Sequence, residues 1–133
     1  MRTSRGSLVV LLFYSLVVFV SPDFAQGNNS GFVLPPDPGK AGKVTLLGID
    51  TDGDGVRDDI QRYIYFTYPD DKKLRLGLTY YAIEFQGVLK DANDREAAYD
   101  HANKMARHGE CLWYLKGEES IDICNALRAK ILN

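Results

Sequence analysis

The chain has few of the residues that build the commonest catalytic sites. Only two of its 133 residues are histidine and only two are cysteine, and no nucleophile-elbow, Walker or glycine-rich dinucleotide sequence occurs. His101 and His108 are two helical turns apart, so on one helix their Cα atoms would be roughly 10.5 Å apart. A helical zinc pair uses the i, i+4 spacing. We therefore predict surface histidines and no zinc centre.

An excess of positive charge is also absent. The chain has 16 lysine and arginine residues against 18 aspartate and glutamate residues, a formal net charge of −2. The basic residues form no cluster, although a general nucleic-acid-binding protein needs a basic patch or stripe. The composition argues against nucleic acid as a partner.

A long apolar run is absent as well. The longest one, residues 8–20, is shorter than the roughly 20 residues of a membrane span, but it suits the central part of a secretory signal peptide. Arginines precede it and small residues follow it, so we predict a signal peptide at residues 1–25, cleaved after Ala25 or after Gly27. An uncleaved membrane anchor is the less favoured alternative. The protein is thus expected to be periplasmic or secreted, with no stable membrane span after cleavage.

The remainder of the chain divides by composition. Residues 26–43 are rich in proline and glycine and have no apolar period, which predicts a linker or an extended arm on the domain surface. Residues 44–133 are long enough for one small domain with a modest core. No internal repeat divides them.

Apolar residues recur at helical spacing through most of residues 44–133. We predict a mainly α fold, a small bundle of about four helices preceded by a calcium loop and the arm. The expected helices run from about Asp58 to Phe66, from a cap at Asp70 or Asp71 to Leu89, from a capping box of Asn93 and Glu96 to Gly117, and from a cap at Ser120 to Ile131. The third helix either passes through Gly109 or breaks there.

The two cysteines lie symmetrically about the predicted turn between the last two helices. Residues equidistant from the turn of an antiparallel helix pair are at the same height, so Cys111 and Cys124 are predicted to form a disulfide. In an oxidising compartment this bond would contribute roughly 3 kcal/mol.

Aspartates alternate with small residues in the segment D-T-D-G-D-G-V-R-D-D-I-Q at residues 50–61. A twelve-residue calcium loop supplies oxygen ligands from positions 1, 3, 5, 7, 9 and 12. The predicted metal ligands are therefore the side chains at five of these positions and the backbone carbonyl at position 7: Asp50, Asp52, Asp54, Val56, Asp58 and Gln61. The alternative is a polar turn whose aspartates only cap the following helix, but such a turn needs one or two acids.

The string D-T-D-G-D-G-V-R-D-D resembles the calcium loops of thrombospondin type 3 repeats, and more distantly an EF-hand loop. The resemblance implies the ion-ligand roles of the loop residues and not an array, since the loop occurs once. The longer string from Gly42 to Ile64 is similar to that of small exported bacterial proteins without an assigned function, which implies a location. An EF-hand has a bidentate glutamate where this chain has Gln61, so we expect affinity on the order of 10⁻⁴–10⁻³ M. Asp59 or a water would complete the shell.

The sequence favours a calcium-binding helical module without enzymatic activity. It would bind another extracytoplasmic protein or assist assembly at the cell envelope. The alternatives are a small secreted hydrolase with a structural calcium site, for which Glu84 is the candidate titratable residue, and a secreted inhibitor or immunity-type protein. No catalytic residue and no cofactor besides Ca²⁺ is predicted.

Overall fold

The computed structural model describes residues 33–133, so the predicted signal peptide lies outside the described residues. Residues 33–133 belong to one compact unit. It contains a 3₁₀ turn and four α-helices, and no strand occurs in the part of the chain that the structure describes: Gly39–Lys43 (the 3₁₀ turn), Asp58–Thr67 (α1), Lys72–Lys90 (α2), Arg95–Lys116 (α3) and Glu119–Leu132 (α4). The predicted mainly α fold is confirmed. None of these helices is both long and apolar enough to cross a membrane.

The core lies where the four helices meet. It consists of side chains at most 8% exposed from every helix and from the end of the aspartate loop: Val56, Ile60, Ile64, Leu74, Leu78, Tyr81, Ala82, Leu112, Ile123, Cys124, Leu127 and Ile131. Val56 is fully buried, so the loop is attached to the core by its own side chain. Burial of each valine, leucine or isoleucine in this set stabilises the fold by roughly 1.5–3 kcal/mol.

Helices α2 and α3 form a close antiparallel pair. Gly77 of α2 makes the close approach possible, since a Cβ atom there would lie 2.8 Å from Leu112 Cδ2. A side chain at this position would require the Leu112 side chain to move out of its place in the core. The pair is the largest helix contact of the bundle and forms one wall of the core.

The described part of the proline- and glycine-rich segment lies against α1. Pro35 is buried, and the Arg62 side chain of α1 donates from Nη1 to the Pro35 carbonyl at 2.8 Å. The 3₁₀ turn follows and leads into the aspartate loop. Residues 33–43 are thus an arm laid over the domain.

Two helix starts differ from the prediction. Asp94, and not Asn93, caps α3, because its carboxylate accepts from the backbone N–H groups of Glu96 and Ala97 at 3.1 Å each. Glu118 precedes α4, and Ser120 lies inside its first turn. The Ser120 hydroxyl donates to the Gly117 carbonyl at 2.6 Å instead of accepting a helix N–H. Gly117, with φ of 59°, reverses the chain early enough for α4 to begin before the serine.

The predicted disulfide is wrong in this structure, where Cys111 and Cys124 are both free. Cys124 is buried and faces a groove lined on α3 by Met105, Ala106, Gly109 and Trp113. Cys111 lies two residues from both Gly109 and Trp113, which places it about 200° around the helix from them. Cys111 is exposed, so it is on the side of α3 away from the groove that contains Cys124.

Thiol labelling under native conditions should therefore separate the two cysteines. We expect rapid modification of Cys111, and modification of Cys124 slower by on the order of tenfold or more, because it needs local opening. Burial also raises the pKa of the Cys124 thiol, which lowers its reactive thiolate fraction. Kinetics with a chromogenic disulfide reagent would show this, with Cys111→Ser removing only the fast phase. If no free thiol is detected after the chain is denatured without a reductant, the predicted disulfide is present after all.

Candidate metal centre

Three carboxylates of the aspartate loop converge on one point. One carboxylate oxygen each from Asp50, Asp52 and Asp58 lies within 4.8 Å of the others. Asp50 and Asp52 are exposed, and Asp58 is buried in the first turn of α1. Their mutual repulsion is unfavourable unless a cation or donors lie among them. This acidic triad can hold one metal ion.

The loop reaches this shape by wrapping its backbone around Asp50. The Asp50 carboxylate accepts N–H groups from Gly53 at 2.8 Å and from Gly55 at 3.0 Å. Both glycines have positive φ, 71° and 89°, a conformation that an L side chain rarely adopts. The glycine positions of the sequence motif are therefore required by the turn itself.

Asp58, in the first turn of α1, joins the beginning of the loop to that helix. Its carboxylate accepts from the backbone N–H of Thr51 at 2.8 Å and from the Thr51 hydroxyl. Its own N–H donates to the Ile49 carbonyl at 2.8 Å. The buried carboxylate is thus held in place before any ion binds, and negative charge here is also favoured by the dipole of α1.

Asp54 lies beside the triad. It accepts from the Val56 N–H and from Gln61 Nε2, both at 2.8 Å. Partial burial raises the pKa of the Asp54 carboxyl, and the charges of Asp52, Asp50 and Asp58 raise it further, against the opposing Val56 hydrogen bond. The raised pKa reflects burial first and the neighbouring negative charges second, and a bound cation would favour the charged carboxylate against both.

Gln61 points its amide into the loop from α1. The residue is only 2% exposed, and Nε2 donates to Asp54 and, at 3.3 Å, to Asp52. Its Oε1 is buried and has no hydrogen-bond partner among the described residues. A buried unpaired amide oxygen costs about 1–3 kcal/mol. The Gln61 NH₂ group, the positive end of the amide dipole, thus contacts the Asp54 and Asp52 carboxylates, as a cation would.

The predicted ligands thus divide into two adjoining groups. Asp50, Asp52 and Asp58 form the triad, while Asp54 and Gln61 meet each other next to it. Asp59 does not adjoin this set, because both of its oxygens accept from Arg57, Nε to Oδ1 and Nη2 to Oδ2, at 2.9 Å each.

Arg57 is the residue that the sequence reasoning missed. Its side chain is 1% exposed, and besides Asp59 it donates from Nη1 to the carbonyls of Leu46 at 3.1 Å and Ile131 at 2.8 Å. Its backbone N–H donates to Gln86 Oε1 at 3.1 Å. The side chain therefore connects the loop to the segment that follows the 3₁₀ turn and to the end of α4, and its backbone connects the loop to α2. The sequence carried one indication, an arginine where EF-hand loops have an apolar residue.

The histidines predicted at the surface lie partly buried between α2 and α3. His101 Nδ1 is 2.6 Å from Glu84 Oε2, and Nε2 is 3.3 Å from Asp91 Oδ2. The His108 ring stacks on Tyr80 with 5.4 Å between centroids. Since both ring nitrogens of His101 and the Glu84 carboxylate are engaged, these groups tie two helices together.

Comparison with family models, with curated proteins and with solved structures gave no significant match to this chain. The functional argument therefore depends on the geometry of the loop and on the contacts of the helices. The resemblance to type 3 and EF-hand loops remains a prediction.

Proposed function

We propose that this chain is an exported helical module without enzymatic activity whose aspartate loop binds Ca²⁺. The observation that carries the proposal is the acidic triad together with the buried, unpartnered Gln61 amide oxygen at its side. The proposed ligands are the residues predicted from the motif: Asp50, Asp52, Asp54, the Val56 carbonyl, Asp58 and Gln61. Rotation of the Gln61 amide by 180° would bring its oxygen to the ion.

The donor set favours calcium over other metals. All proposed ligands are oxygens, which hard cations prefer, and no imidazole or thiolate belongs to the set. Ca²⁺ accepts six to eight oxygens in irregular arrangements, whereas Mg²⁺ requires a near-ideal octahedron and keeps several waters. An exposed loop with one buried carboxylate and one amide suits the more tolerant ion.

The bound ion would stabilise the start of the bundle. The loop contains Val56, which is buried in the core, and Arg57, whose contacts extend to the segment after the 3₁₀ turn and to α4. Ordering the loop would therefore strengthen the attachment of α1 to the core and to these two segments.

The exposed surface supports a protein-binding role at the cell envelope. Large apolar side chains lie in solvent near the α3–α4 turn, with Trp113 53%, Tyr114 89% and Ile121 51% exposed. Aromatic residues are enriched in protein interfaces. Another extracytoplasmic protein is thus the proposed partner, in preference to a hydrolase substrate.

Calcium should raise the thermal stability of the mature chain. For dissociation constants of about 10⁻⁴–10⁻³ M, 10 mM Ca²⁺ adds roughly 1.4–2.7 kcal/mol to the free energy of unfolding. This corresponds to a rise in the unfolding midpoint of at least about 5 °C for a domain of this size. Circular dichroism with Ca²⁺ and with chelator measures the difference.

Isosteric variants test whether the loop is responsible. Asp50→Asn keeps an acceptor for only one of the Gly53 and Gly55 N–H groups, which bond to different oxygens of Asp50, and it removes a charge, so the calcium response should largely disappear. Asp122→Asn removes an exposed charge on α4 and should leave the response intact. Equal midpoints with calcium and with chelator in the unmodified chain would contradict the proposal.

A further inference from the structure

A second potential binding site lies on the other side of α1, between the arm and α4. It is an open cleft of about 420 Å³ that the aspartate triad does not line. The residues that line it combine cationic, aromatic and acidic side chains: Asp37, Lys43, Asp59, Arg62, Tyr63 and Phe66, with Lys130 from α4. Its volume falls in the range of small-molecule sites, about 300–1,000 Å³.

Positive charge in this cleft exceeds negative charge, since three cations lie beside one acid, Asp37, that has no cationic partner among residues 33–133. Within residues 33–133, no carboxylate forms an ion pair with Lys43, Arg62 or Lys130. Of the two acids, Asp59 is neutralised by its bidentate pair with Arg57. Asp37 accepts the Gly39 N–H at 2.9 Å. The cleft is thus a positive region on a chain whose net charge is −2.

Two of the cations are held against aromatic rings. The Arg62 guanidinium carbon is 5.3 Å from the Phe66 ring centroid, and Lys130 Nζ is 5.6 Å from that of Tyr63. Arg62 is further fixed by its bond to the Pro35 carbonyl, which leaves its other N–H donors available. Positioning the charges in advance reduces the entropy that a ligand must lose on binding.

We propose that this cleft binds a small organic anion with a flat apolar body. Its carboxylate or phosphate group would accept from Arg62 and from the lysines, since guanidinium and ammonium groups both form strong charge-assisted bonds to such oxygens. Its body would lie against Tyr63 and Phe66. The inference is independent of calcium binding, because none of these residues belongs to the proposed metal ligands.

To test the proposal, the mature chain is titrated with four probes, and its amide NMR resonances are recorded at each step. The probes are benzoate, phenyl phosphate, neutral benzyl alcohol and inorganic phosphate. Benzoate and phenyl phosphate should shift the resonances of α1 and of the 3₁₀ turn. The probe that binds more tightly shows whether the cleft prefers a carboxylate or a phosphate group. Benzyl alcohol and inorganic phosphate should each bind at least tenfold more weakly than the better organic anion.

Matched lysine variants provide the control. Lys130→Met should weaken binding of the organic anion by about tenfold, an effect of a single charge-assisted contact, whereas Lys73→Met at an exposed position of α2 should change it less than twofold. Arg62→Met is a second test, with preserved amide dispersion showing that the chain still folds. The proposal would be overturned if neither organic anion bound, if benzyl alcohol or inorganic phosphate bound as tightly as the better organic anion, or if Lys130→Met and Lys73→Met caused equal losses.

Discussion

Replacing Gln61 by glutamate is expected to make the domain less stable without calcium and to make it bind calcium more tightly. In the absence of metal the Gln61 amide donates to Asp54 and Asp52. Glutamate would replace that donor with a further negative charge among four aspartates, at a cost on the order of 1–3 kcal/mol. With calcium the same carboxylate would supply the bidentate ligand that the loop lacks, and ligand charge tunes the affinity of such loops over several orders of magnitude. We expect at least a roughly tenfold lower dissociation constant.

Two measurements separate these opposite effects. Chemical denaturation in chelator gives the loss of stability, and calorimetric titration gives the affinity. Gln61→Met removes the donor and the oxygen without adding charge, so it should weaken calcium binding; Asn125→Asp adds a charge at an exposed position of α4 and should change neither quantity. A Gln61→Glu chain with unchanged affinity would show that position 61 does not contact the ion.

The loop and the first two helices illustrate what local patterns predict. Asp50 and Asp52 approach Asp58 because glycines at fixed positions bend the backbone, and both glycines and acids are visible in twelve residues of sequence. Asp71 caps α2 by accepting from the Leu74 N–H at 2.9 Å. It is one of the two alternatives, Asp70 and Asp71, that the sequence predicted for this helix. In these segments the residues that contact each other are close together in the sequence, so the pattern of residue types predicts the contact.

Contacts between distant segments are not encoded so locally. The disulfide prediction used the positions of the cysteines along a hairpin but had no information on the rotation of α3, which depends on contacts with other helices such as that of Leu112 with Gly77. The third helix passes through Gly109 without a break, since tertiary packing outweighs the roughly 1 kcal/mol cost of a glycine. Arg57 was missed because its acceptors at Leu46 and Ile131 are 11 and 74 residues away.

Replacing Arg57 by methionine should cause the largest loss of stability among these variants. It would leave the Asp59 carboxylate, 11% exposed, without its bidentate partner and remove donors from the Leu46 and Ile131 carbonyls. Removing one partner of a buried pair costs about 3–5 kcal/mol, which lowers the unfolding midpoint by more than about 12 °C in a domain of this size.

A double variant distinguishes the lost ion pair from lost packing. Adding Asp59→Asn to Arg57→Met removes the orphaned charge, so it should recover part of the stability, whereas Asp59→Asn alone should destabilise the chain. Arg57→Lys should be intermediate, since an ammonium group cannot reproduce the two parallel bonds of a guanidinium. Arg107→Met, at an exposed position of α3, should change the free energy of unfolding by less than about 0.5 kcal/mol. If Arg57→Met costs no more than this control, Arg57 does not hold the loop, the segment around Leu46 and α4 together.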